Sequence, residues 1–152
     1  MPGTWEPFGP TRPPDGAEPA PAASSATGPA PAVSPLPARR EPAQALAIIT
    51  CMDARIDPLA ALGLRLGDAN VIRNAGATVS DDVLRSLHAA ESLLGVRRAI
   101  LIGHTDCAGH DSDESARVSM IDGARRIRGT MPDGFGVEAF MYDVATGSLT
   151  PV

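Results

Sequence analysis

Leu46-Ala47-Ile48-Ile49-Thr50-Cys51-Met52-Asp53-Ala54-Arg55 opens on a short apolar run and closes on residues that carry chemistry. An apolar run this short, rich in branched side chains, reads as a buried strand spanning Ala45 to Thr50. Its downstream end then offers a thiol, a carboxylate and a guanidinium within five residues. About fifty residues on, Ala99-Ile100-Leu101-Ile102-Gly103-His104-Thr105-Asp106-Cys107 repeats the plan, with an imidazole and a second thiol. In an open parallel sheet the carboxyl ends of neighbouring strands face one crevice, and ligands bind there. The two stretches therefore predict that Cys51, Asp53, Arg55, His104 and Cys107 converge.

Working outward, strand-like and helix-like runs alternate. Asp57-Pro58 opens a short helix, with Asp as N-cap and Pro at the first helical position, and Gly63 and Gly67 close that segment. Ala69 to Arg73 reads as a second strand, turned by Asn74-Ala75-Gly76-Ala77. Ser80-Asp81-Asp82 caps a helix that runs to Leu94 and stops at Gly95. Val83, Leu87, Ala90 and Leu94 fall at helical spacing there, with Leu84 and Leu93 widening the apolar stripe. Arg98 to Gly103 is a third strand. A further helix is expected from a cap within Asp111–Glu114 to Arg128, burying Val118, Ile121, Ala124 and Ile127. Gly123 in its middle costs about 1 kcal/mol relative to Ala. Phe135 to Asp143 reads as a fourth strand and Leu149 to Val152 as a short terminal one. The β-α-β order predicts an α/β fold: a mostly parallel sheet of about four strands plus an antiparallel edge strand, flanked by helices.

Twelve of the 15 prolines lie at or before Pro42, mixed with Ala, Gly and Ser. Residues 1–43 hold few large apolar side chains, so burial does not offset the entropy of ordering them. They read as a disordered arm, leaving residues 44–152 as one folded domain. No apolar run approaches the roughly 20 residues that span a bilayer, so no membrane role is expected. The acidic, proline-containing start does not read as a secretory leader. Net charge is -5, all 13 basic residues are arginine, and no basic stripe appears, which argues against nucleic acid as partner. Two cysteines imply no disulfide framework, and a reducing cytoplasmic setting suits free thiolates. Two thiolates plus one imidazole form a known three-ligand set for catalytic zinc, with the fourth position left to water. His88 reads as a helix-surface side chain and Asp106 as a residue that orients its loop. His110, three residues past Cys107, reads as a solvated loop residue, with proton relay as its other reading.

Cys51-x-Asp53-x-Arg55 followed by His104-x-x-Cys107, with Val71-Ile72-Arg73-Asn74-Ala75-Gly76 between them, resembles the β-class carbonic anhydrases. Phe140-Met141-Tyr142-Asp143-Val144-Ala145-Thr146-Gly147 is similar to that family's closing strand. The resemblance implies a Zn²⁺ cofactor bound by Cys51, His104 and Cys107, and reversible hydration of CO₂ to bicarbonate and a proton by zinc-bound hydroxide. Asp53, held by Arg55, would accept a hydrogen bond from the zinc-bound water, or swing onto the metal as a fourth ligand. Gly76 would form a close backbone wall beside the substrate. The family pairing implies a homodimer. Two other readings stand beside this one. The same site would hydrolyse a CO₂ analogue, carbonyl sulfide or carbon disulfide. Alternatively, because the stretch from Ala108 to Gly136 is shorter than the family's usual one, the chain would be a zinc-binding homologue with little turnover.

Overall fold

The structure, a computed structural model, describes residues 39–152; the first 38 residues of the expected arm lie outside the described residues. The described chain runs β1 (Leu46–Cys51), α1 (Pro58–Ala61), β2 (Ala69–Asn74), α2 (Asp81–Leu94), β3 (Arg98–His104), α3 (Asp113–Arg128), β4 (Gly136–Tyr142) and β5 (Leu149–Pro151). A 3-10 turn at Ala75–Ala77 follows β2. The strands form one sheet in the order β2-β1-β3-β4-β5. β1 pairs in parallel with β2 and β3, β3 in parallel with β4, and β5 runs antiparallel to β4. This is the expected four-stranded parallel core with an antiparallel edge.

β1 sits inside the sheet and every one of its residues is buried. A strand covered on both faces needs apolar side chains at odd and even positions alike, which explains a continuous run where a half-exposed strand would alternate. Ala47, Ile49, Ala99 and Leu101 join one apolar layer with Val83, Leu87 and Ala90 of α2 and Met120, Ala124 and Ile127 of α3. Leu46, Ile48, Ile100 and Ile102 form the other, packed with Leu59, Leu62 and Leu64 around α1 and with Phe140 and Tyr142. Ahead of β1, the N–H groups of Ala43 and Gln44 donate to the carbonyls of Gly67 and Asp68, both at 2.9 Å, tying that entry to the start of β2.

The helices begin where their caps predict. Asp57 accepts from the N–H groups of Leu59 and Ala60 at α1. Ser80 accepts from Val83 at α2, and Asp81 and Asp82 complement the positive end of its dipole. Ser112 and Ser115 form a reciprocal capping box at α3. Two side-chain expectations need correction. Leu93 does not widen the α2 stripe: it is 76% exposed, because six residues past Leu87 is well round the helix from the buried face. On α3 the buried stripe is Ala116, Met120, Gly123, Ala124 and Ile127, with Val118 exposed and Ile121 only half-buried. Gly123 sets that rotation. A Cβ there would lie 2.8 Å from Val79 Cγ2 and 2.9 Å from Leu101 Cδ2, so the helix presses its bare backbone onto the core at this point. Among the described residues no helix is long and apolar enough to cross a membrane.

Candidate metal centre

The parallel register sets Thr50 of β1 beside Ile102 of β3. Carried on, it brings the ends of both strands to one rim, with Cys51 as the last residue of β1 and His104 as the last of β3. Cys107 returns from the following loop. Its backbone reverses at Asp106, which takes a positive φ of 53°. The two sulfur atoms lie 3.9 Å apart. One ligand atom from each of Cys51, His104 and Cys107 falls within 4.8 Å of the others, and all three residues are buried.

Nδ1 of His104 lies 2.8 Å from the carbonyl oxygen of Thr105. A carbonyl only accepts, so the ring proton belongs on Nδ1 and the lone pair on Nε2. Nε2 is buried with no hydrogen-bond partner. This donor set fits zinc. Zn–S bonds of about 2.3 Å in a tetrahedron give S···S edges of about 3.8 Å, and an imidazole fixed by its other nitrogen is the usual ligand tautomer. Burial is the main influence raising the Cys107 thiol above its ordinary 9.0; the N–H of Gly109 partly offsets it, and Cys51 adds to it. Cys51 Sγ accepts from the N–H of Gly76 at 3.4 Å.

Asp53 and Arg55 sit at the edge of this cluster. Arg55 Nε and Nη2 donate to the two oxygens of Asp53 at 3.0 and 2.7 Å, and its backbone N–H adds a third bond at 2.9 Å. The guanidinium first, then that N–H, hold the carboxyl far below the usual carboxylate range. Asp53 Oδ2 is 3.9 Å from His104 Nε2 and outside the three-residue cluster, so the carboxylate here faces Arg55. The remaining guanidinium donors reach Asp106: Nη1 to its carboxylate at 2.8 Å and Nη2 to its carbonyl at 2.9 Å. Asp106 thus touches Arg55 and stays outside the ligand cluster. His88 is exposed on α2.

Arg73, near the end of β2, does more than pair in the sheet. Its Nε donates to the carbonyl of Cys51 at 2.9 Å and its Nη2 to that of Asp53 at 2.7 Å. The guanidinium therefore splints the segment that presents thiol and carboxylate. Strand alternation at β2 tells which face Arg73 points to, but not that two carbonyls of the β1 tip lie there. Ile56 and Tyr142 pack against the two cysteines. A cleft of about 450 Å³ bordered by Arg55, Asp106, Cys107 and His110 opens beside them.

Residues 46–131 match the family model described as carbonic anhydrase. Beta-carbonic anhydrase 1 of Mycobacterium tuberculosis is 38% identical to this chain over 143 residues, covering 78% of this chain and 86% of that protein. Carbon disulfide hydrolase of Saccharolobus solfataricus is 47% identical over 60 residues, 40% of this chain and 29% of that protein. Among solved structures, the carbonic anhydrase of Streptococcus mutans is similar with a TM-score of 0.70 at 30% identity, covering 78% of this chain and 87% of that one.

Proposed function

This chain belongs to the β-class carbonic anhydrase family of enzymes, and from that premise we propose that it catalyses the zinc-dependent, reversible hydration of CO₂ to bicarbonate and a proton. The observation that carries the reading is the buried, unpartnered Nε2 of His104 facing two thiols 3.9 Å apart. Cys51, His104 and Cys107 would hold the ion. A zinc ion bound with one open position acts as a Lewis acid and makes water nucleophilic near neutral pH.

The other residues act by position and charge. Asp53 is so strongly stabilised as an anion that it is a poor base. Its role is to accept a hydrogen bond from the reacting water and so aim that water's lone pair at CO₂. Arg55 fixes the carboxylate through both oxygens, leaving it one direction in which to accept. Gly76, whose N–H reaches Cys51 Sγ, would form the near wall of the substrate site with its backbone. Ile56 and Tyr142 would exclude water around an apolar, linear substrate. The catalytic unit is residues 44–152, and we propose that it works as a homodimer. Exposed Val71 on the sheet-edge strand β2 and Leu93 on α2 border one groove, which supports burial against a second copy.

Stopped-flow CO₂ hydration by the zinc-loaded protein tests the proposal, with carbon disulfide and carbonyl sulfide run in parallel. The proposal expects turnover on CO₂. The short but strong match to a carbon disulfide hydrolase favours turnover on the sulfur analogues as the second reading. A zinc-loaded protein inert towards all three would contradict both.

A further inference from the structure

His110 lies outside the ligand set, yet its ring is wedged between the two segments that flank the sulfurs. Ring Nε2 is 2.9 Å from the carbonyl oxygen of Gly76, and the main-chain N–H of His110 donates to the carbonyl of Cys107 at 3.1 Å. Gly76 has φ +69°, and a Cβ on it would sit 2.8 Å from His110 Nε2. Gly109 packs equally close from the other segment: its Cβ would lie 2.9 Å from the nitrogen and 3.0 Å from the Cα of Gly76. The glycine turn after β2 and the loop after β3 therefore meet backbone to backbone, and His110 bolts one to the other.

The glycine turn also points an N–H at a sulfur: Gly76 N–H donates to Cys51 Sγ at 3.4 Å. Two thiolates push more negative charge onto a metal than two imidazoles do, which weakens it as a Lewis acid. Hydrogen bonds to the sulfurs draw part of that charge back. We infer that His110 is a positioning residue that holds the main-chain N–H of Gly76 on Cys51, and so tunes how strongly that sulfur donates to a bound metal. A carbonyl accepts only, so the ring must carry its proton on Nε2; the imidazolium and the Nε2–H tautomer both do so. The contact is therefore independent of the protonation state of His110. The inference rests on the zinc reading above.

Cobalt(II) is the probe, because thiolate-to-cobalt charge-transfer bands report sulfur electron density directly. The full chain is loaded as wild type, His110→Ala, His110→Met and His110→Gln, each checked for folding by circular dichroism. Met fills the ring's volume without a donor and replaces Ala should that variant not fold; Gln restores an N–H near Nε2. The expected result is a shift of the bands to longer wavelength, and a loss of about 10- to 100-fold in cobalt affinity, in Ala and Met. Gln should lie close to wild type. A folded Met variant with wild-type bands and affinity would overturn the inference alone, as would Gln shifting as far as Met. Wild type without any thiolate band would overturn the zinc reading, and this inference with it.

Discussion

Leu46 to Ile49 and Cys51 to Arg55 are neighbours on one strand and its exit, but different forces hold them. The first four residues are buried in two apolar layers, and no side-chain polar group among them needs a partner. The second group is held by directed contacts: the Arg73 guanidinium on two carbonyls, the Arg55 guanidinium on Asp53, and a main-chain N–H on Cys51. β3 and its exit repeat the contrast, from buried Ile100–Ile102 to His104 fixed through Nδ1. Area and packing density hold the strand bodies, whereas orientation and charge hold their tips. The difference teaches that damage to a body should appear as lost stability, and damage to a tip as lost metal or turnover.

That separation is open to attack, beginning where the effect should be greatest. Cys107→Ser removes one sulfur from the set; zinc content and CO₂ hydration should both fall to background, while the urea midpoint of the metal-free protein barely moves. Leu101→Ala, in the fully buried body of β3, should cost about 2 to 5 kcal/mol by denaturant unfolding. The molecules that remain folded should still bind one zinc each. A Leu101→Ala protein that stays stable but loses zinc would break the comparison. Asp53→Asn keeps the shape of the tip and removes its charge. Turnover should drop about 10- to 100-fold with zinc stoichiometry unchanged.

Gly123→Ala sharpens the comparison from the packing side. Helix propensity alone favours alanine by about 1 kcal/mol. The added methyl would meet Val79 and Leu101 within 3 Å, and overpacking of that kind costs about 1 to 3 kcal/mol. A net loss of about 1 kcal/mol with unaltered metal binding is expected. The smallest effect concerns pH. Burial holds the Cys107 thiol above 9.0 in the folded, metal-free chain. A group whose folded value is raised adds stability below its unfolded value and loses it as pH climbs through the folded one. Urea melts of metal-free protein should therefore weaken above about pH 9, while the zinc-loaded form, already thiolate, should show no such decline.

What the sequence made legible follows the same division. Strand bodies were readable because burial on both faces leaves a continuous apolar run, and helix starts because Asp57, Ser80 and Ser112 cap locally. The five chemical residues were readable because a parallel sheet brings its carboxyl ends together. The stripe of α3 was not, since its rotation depends on how closely Gly123 approaches Val79, 44 positions away in the chain in the connection before α2. The splint by Arg73 and the bolt by His110 were hidden for the same reason. Arg73 acts on a carbonyl 20 residues distant and His110 on one 34 residues distant, and no local spacing marks such a partner. Leu93 is exposed because it lies six residues past Leu87, well round α2 from the buried face.

Zinc-edge X-ray absorption on the purified protein, with metal counted per chain, bears most directly on the central claim. The account predicts one zinc per chain with two sulfurs at about 2.3 Å and a histidine nitrogen at about 2.0 to 2.1 Å. A zinc shell without sulfur, or a folded protein that takes up no zinc, would contradict it.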